Sequence, residues 1–383
     1  MKTPTHRPPR ALYVHVPFCL RRCAYCDFYS RVLDAEQADR YLAALAVELD
    51  RRADCFRRPA ETIFLGGGTP TSLGAGRLAA LLELLAPFAG AETEFSVEAN
   101  PGTVDDRLAA TLTAGGVNRV SVGAQSFRDE ELALLGRIHA GEQIAQAVAC
   151  VRRAGIGNVG LDLIYGVPGQ SPATWEASLR AAADLEPEHV SCYALSYPPG
   201  TALAADLGAG RVAEMPEDLQ RACYDRTVER LAEAGLEHYE ISNFARPGRR
   251  CRHNLVYWHN RPYVGLGPGA VSYVAGAREK NLPDLDAYAA SLAAGETPPR
   301  EVERITGRSL LAETLMLGLR LVEGVDRAAF GERFGQDPVE AFEPVLRRYE
   351  ALGAVTISET HVRLTREALF VSDTVLADLI SEV

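Results

Sequence analysis

Through the first half of the chain, short apolar runs alternate with longer stretches whose apolar positions recur every three or four residues. These are the two periods that separate buried strands from amphipathic helices. ALYVHVP (11–17) predicts a buried strand, and DAEQADRYLAALAVELDRRA (34–53) a helix opened by an Asp N-cap. ETIFLGGGTP (61–70) predicts a second strand that runs into glycines, followed by the helix GRLAALLELLAPF. TEFSVEANP (93–101) with a helix near 104–114, and NRVSVGAQSF (118–127) with helices to about 154, continue the series. NVGLDLIYGVPGQ (158–170), the helix TWEASLRAAADL and the strand HVSCYALS (189–196) complete it. Six strand-then-helix units imply a parallel sheet with right-handed crossovers. The regular order and the Gly-rich strand ends favour an α/β fold of the partial (β/α)6 TIM-like barrel kind over an open doubly wound sheet. Chemistry in such barrels sits at the C-terminal strand ends.

The pattern then breaks. A Pro/Gly-rich excursion (197–217) leads to a helix (217–234), to EHYEISNFA, and to a loop-rich stretch containing HNLVYW (253–258) and GLGPGA. From about residue 300 helices dominate, and AVTISETHVRLT predicts a hairpin around SETH. Helices plus one hairpin suggest a C-terminal, mainly helical, winged-helix-like module. The expected division is 1–200 for the barrel, 201–299 for a connecting region and 300–383 for the C-terminal domain.

Charge narrows the classes. The 383 residues carry 40 Lys plus Arg against 51 Asp plus Glu, a net charge of −11. That balance argues against nucleic acid as a partner and gives the winged-helix-like module a structural role, although RPGRRCRH (246–253) is locally basic. No apolar run reaches the roughly 18–20 residues of a transmembrane helix. The basic start MKTPTHRPPR leads into a strand without the apolar region of a signal peptide. A cytoplasmic protein is expected, with peripheral membrane contact left open.

Five of the eight cysteines are scattered, as small buried hydrophobes are. Cys19, Cys23 and Cys26 are not: they form C-x3-C-x2-C in the loop just past the first strand. Structural zinc wants four ligands, and the nearby His15 sits within the strand with no second pair to complete a site. A [4Fe–4S] cluster usually takes four thiolates. Three would leave one iron open to a ligand that is also a reactant.

This spacing after strand one of a βα series resembles the radical S-adenosylmethionine (SAM) superfamily, and the C-terminal part resembles oxygen-independent coproporphyrinogen oxidases. The resemblance covers most of the chain. It implies that SAM chelates the open iron through its amine and carboxylate, and that the reduced cluster cleaves it to a 5′-deoxyadenosyl radical. GGGTP (66–70), whose glycine amides suit an anion- or amine-handling nest, then resembles the contact to the methionyl group through Gly67, Gly68 and Thr69. Glu98, Gln125 and Asp162, at or near strand ends, resemble SAM contacts, with strand-end carboxylates otherwise capping the next helix. Arg137 resembles the partner of the SAM carboxylate. Tyr13 and Tyr25 resemble residues that hydrogen-bond to and pack against SAM.

Within the superfamily, an oxidase of porphyrin biosynthesis competes with a haem chaperone of the HemW family; a radical SAM methyltransferase is the weakest candidate. Oxidases resemble C-x3-C-x2-C-x-C and carry a longer N-terminal segment, whereas Phe28 stands here in CDFYS and eighteen residues precede Cys19. HNLVYW resembles the H-N-x-x-Y-W haem motif of HemW proteins. By that resemblance His253 ligates haem iron, while Asn254, Tyr257 and Trp258 complete the motif and Arg249, Arg250 and Arg252 meet propionates. The expected cofactors are a [4Fe–4S] cluster, SAM and haem. The expected partners are haem, haem-acceptor proteins and a second copy in a homodimer.

Overall fold

The computed structural model of the chain describes residues 8–55 and 58–381; the basic start at residues 1–7 lies outside them. Six parallel strands follow one another in sheet order: β1 (Ala11–Val16), β2 (Thr62–Gly67), β3 (Glu94–Ala99), β4 (Arg119–Gln125), β5 (Val159–Tyr165) and β6 (His189–Ala194). Among the helices that link them are α1 (Ala35–Arg52), α2 (Gly74–Leu85), α3 (Asp106–Ala114), α4 (Gly141–Arg153) and α5 (Pro172–Asp184). Helix α1 starts where expected, because the Asp34 carboxylate accepts from the Gln37 amide at 2.9 Å. Helix α5 carries both halves of a capping box, Ser171 with Thr174, and Pro172 at its first position. This is the partial (β/α)6 barrel, with an apolar shell between sheet and helices that includes Leu12, Ile63, Val97, Val120, Leu161 and Trp175.

Residues between 201 and 299 do more than connect. After α6 (Glu217–Glu233), strands β7 (Glu237–Glu240) and β8 (Asn243–Ala245) add antiparallel to the β6 edge. HNLVYW, expected in a loop, is instead helical: it falls in α7 (Arg252–Trp258). Strand β9 (Val264–Leu266) then pairs parallel with β1. Among the described residues the main sheet thus has nine strands, in the order β9-β1-β2-β3-β4-β5-β6-β8-β7. A second sheet holds β10 (Val271–Val274), β11 (Ala277–Asn281) and β12 (Arg300–Arg304).

The C-terminal part includes α8 (Gly307–Gly318), α9 (Arg327–Phe334) and α10 (Glu343–Ala351), with a small sheet of β13 (Val325–Asp326), β14 (Val355–Ile357) and β15 (His361–Leu364). The expected hairpin is β14–β15. This domain is tied to the barrel by backbone: Ile241 donates to Arg320 O at 3.1 Å and Val322 to Tyr239 O at 3.1 Å. Side chains reinforce the seam, with Asn260 donating to Thr314 and Arg250 pairing with Glu323. No helix among the described residues is long and apolar enough to cross a membrane.

Candidate functional site

Strand residues alternate between the helix-covered face and the barrel interior. On the inner face Tyr13, Phe64, Glu98, Ser121, Gly123, Gln125 and Asp162 are only half-buried, and Tyr193 is exposed, in strands otherwise almost wholly buried. The lumen is therefore open to solvent at its C-terminal mouth, and its walls there are polar.

The cysteine loop lies over this mouth. It is pinned at its centre, where the Ala24 amide donates to Leu135 O at 2.9 Å and Ala24 O accepts from Leu203 at 2.8 Å. Arg137 reaches it from behind β4: one terminal nitrogen donates to Cys23 Sγ at 3.2 Å, the other to Gly123 O at 2.7 Å, and Nε is buried without a partner. Cys19 Sγ lies 3.6 Å from Thr69 Oγ1. Burial, with the neighbouring thiols adding to it, pushes Cys26 up to about 11 and raises Cys19 as well. Thiols raised in this way suit a metal centre, whose positive charge holds them as thiolates. Among the described residues no three Cys, His, Asp or Glu converge on a single metal ion. A four-iron cluster does not require that convergence, since each thiolate binds a different iron. His15 takes no part: Nδ1 meets Tyr13 OH at 3.1 Å and Nε2 meets Tyr29 O at 2.8 Å.

The carboxylates sit deeper. Asp162 accepts from Ser121 Oγ at 3.0 and 3.1 Å, a partner that spacing alone did not reveal. Glu98 accepts from the Gly67 amide at 3.1 Å, so it does not cap the helix that follows, which Asp105 caps instead. Burial, and then the charge of Asp162, raise Glu98 to about 8. Gln125 ends β4 in the left-handed region at φ 63°, held there by a break in the β4–β5 ladder.

The glycines need a correction. Their amides do not form an open nest: Gly67 donates to Glu98, Gly68 to Val16 O at 2.9 Å and Thr69 to Phe18 O at 2.7 Å. The missing side chains make room for the protein itself. A Cβ on Gly67, which has φ +106°, would come within 2.5 Å of the His15 ring, and one on Gly68 within 2.5 Å of Phe18 O.

The HNLVYW residues lie at the other end of the barrel. Helix α7 closes the N-terminal strand ends, and Glu94 at the start of β3 accepts from the Arg252 and His253 amides, both at 3.1 Å. His253 is 1% exposed, stacks on Phe64 at 5.1 Å, and has both ring nitrogens engaged at 2.8 Å, by Thr62 Oγ1 and Tyr257 OH. Burial lowers it to about 3. Ligation of iron by this imidazole would require breaking one of these hydrogen bonds and opening a ring that is buried on all sides. Asn254, Tyr257 and Trp258 are half-buried. Of the basic residues at the start of the helix, Arg250 just before it pairs with Glu323, and Arg252, its first residue, donates to Glu92 O at 2.8 Å.

Comparison with known proteins agrees with this architecture. Residues 13–182 match the radical SAM superfamily and 305–371 the HemN C-terminal domain. The Bacillus subtilis protein named heme chaperone HemW is 34% identical over 379 residues, spanning 98% of this chain and 100% of that one. A Synechocystis protein of the same name is 39% identical over 85% of this chain and 81% of its own. Coproporphyrinogen III oxidase (HemN) from Escherichia coli superposes with a TM-score of 0.85, covering 99% of this chain and 92% of that one. At 24% identity that likeness establishes the fold alone.

Proposed function

Since the chain belongs to the HemW family of the radical SAM superfamily, we propose that it is a haem chaperone, which holds a [4Fe–4S] cluster with exchangeable SAM, binds haem and passes it to acceptor proteins. The observation that carries this reading is identity with proteins named heme chaperone along the full chain, joined to a cysteine loop with Phe28 where the oxidase pattern has a fourth cysteine.

Cys19, Cys23 and Cys26 hold the cluster, which supplies, when bound, an open iron for SAM and an electron for its sulfonium. The chain's own residues do the positioning. Arg137, with its unpartnered Nε, faces the SAM carboxylate. The amides of Gly67, Gly68 and Thr69 are spoken for, so contact with the methionyl ammonium falls to their carbonyl oxygens. Asp162, Glu98 and Gln125 offer acceptors to the ribose and ammonium, while Tyr13 and Tyr25 pack beside them. The haem end is the α7 segment, and acceptor docking and dimerisation belong to the same reading.

Anaerobic reconstitution tests the reading in three steps. Cys→Ala at all three loop positions should abolish the brown chromophore, while Cys55→Ala or Cys192→Ala should keep it. SAM should shift the EPR signal of the reduced cluster, and Asp162→Ala should weaken that response without loss of iron. Haem should then bind the wild-type protein, with no turnover of coproporphyrinogen. Turnover without haem binding would identify an oxidase instead.

A further inference from the structure

A cleft separates the closed end of the barrel from the C-terminal domain. Its volume is about 1260 Å³, above the usual 300–1,000 Å³ of small-molecule sites, so a tetrapyrrole fits within it. One wall is the end of α7, contributing Trp258 and His259; the opposite wall is α9, contributing Phe330, Arg333 and Phe334. The haem-motif helix therefore has two sides: His253 faces the barrel and is hydrogen-bonded on both nitrogens, while Trp258 faces the cleft.

We infer that haem sits in this cleft, with His259 rather than His253 as its axial ligand and Arg261 receiving a propionate. This deepens the haem-chaperone reading and rests on it.

Geometry around His259 and Arg261 supports the assignment. The His259 ring has no hydrogen-bond partner among the described residues, in contrast to His253, yet the residue is fixed in place because its carbonyl accepts from Arg333 at 3.0 Å. Burial, and then Arg261 and Arg333, lower its proton affinity, which favours the neutral ring with a lone pair for iron. Arg261, also on the cleft, is exposed; its amide donates to Val256 O at 2.9 Å, but its guanidinium makes no hydrogen bond or ion pair among the described residues. The Trp258 indole N–H is buried without a partner. Four acidic residues line the cleft: Glu61 pairs with Arg10, Glu323 with Arg250, and Asp326 caps α9 through the Ala329 amide, which leaves Glu332 as the acid there without an ion pair or a side-chain hydrogen bond among the described residues. The rings of Phe330 and Phe334, 4.6 Å apart and largely buried, make the α9 wall partly apolar, with the Arg333 guanidinium 4.8 Å over Phe334.

The test is a hemin titration of the full chain, read by affinity and by the Soret band. His259→Ala should weaken binding tenfold or more and alter the Soret band, and added imidazole should restore the spectrum. Its melting temperature should move less than that of His253→Ala, since the ring makes no hydrogen bond. Arg261→Ala should weaken hemin severalfold but leave binding of the haem dimethyl ester unchanged. His253→Ala should lower the melting temperature while the folded fraction keeps the wild-type Soret band. Wild-type affinity and spectrum in His259→Ala would overturn the inference, as would their loss in His361→Ala instead. Failure of the wild type to bind hemin at all would sink the chaperone reading itself.

Discussion

Glu98 shows how a candidate site residue can be legible by position and opaque by chemistry. Its place at the end of a strand, facing inward, follows from a two-residue period and a strand boundary. Its raised pKa does not, because that comes from burial and from Asp162, brought beside it by a strand about sixty residues further on. The shift has a testable sign. The folded form keeps its proton up to about 8, whereas the unfolded chain loses it near 4.5. The stabilisation is thus complete below the lower value and is lost as pH rises through the higher one. The melting temperature of the cluster-free protein should fall across this window, and Glu98→Gln should flatten that slope; a slope that survives the substitution would place its origin elsewhere. The glycines of GGGTP teach the converse. Their need for small residues was readable, but the atoms filling the space, the His15 ring and Phe18 O, come from β1 and its loop and could not be read from the run itself.

At the scale of elements, the six barrel strands were legible because each is an apolar run bounded by helical periodicity. Strands β7, β8 and β9 were not, being three or four residues long, with β9 interrupted by Gly265. Helix α7 escaped for a related reason: its seven residues span two turns and carry no apolar stripe, so its fold is dictated by tertiary partners. The chief partner is the Glu94 carboxylate at its N-terminus, where aligned peptide dipoles favour a negative charge. Glu94→Gln keeps the shape but removes the charge, and hydrogen bonds to charged groups contribute about 1.5–3 kcal/mol. We expect a loss of that order in denaturant unfolding. Unchanged stability would show that packing of His253 and Tyr257 alone seats the helix.

For the molecule as a whole, the composition hides an acid sensitivity. Of the seven histidines described, six (His15, His139, His189, His238, His253 and His259) are lowered, in every case chiefly by burial. The folded chain holds them neutral while the unfolded chain protonates near 6.5, so their contribution is present above that value and is lost as pH falls below it. Each costs about 1.4 kcal/mol per pH unit, and the denaturation midpoint should drop steeply from pH 6.5 towards 4, the value of His139. A flat profile would mean the rings reach solvent. Finally, the cysteine loop and the α7 cleft lie at opposite ends of the same strands. Six residues of β1 at about 3.3 Å each put about 20 Å of protein between them. The barrel is in that sense a spacer between the two proposed iron sites, and a haem bound in the cleft would be magnetically insulated from a cluster at the mouth. The EPR spectrum of the reduced cluster should therefore be the same with and without haem, and the two signals should simply add; splitting or broadening on haem addition would mean that the irons meet.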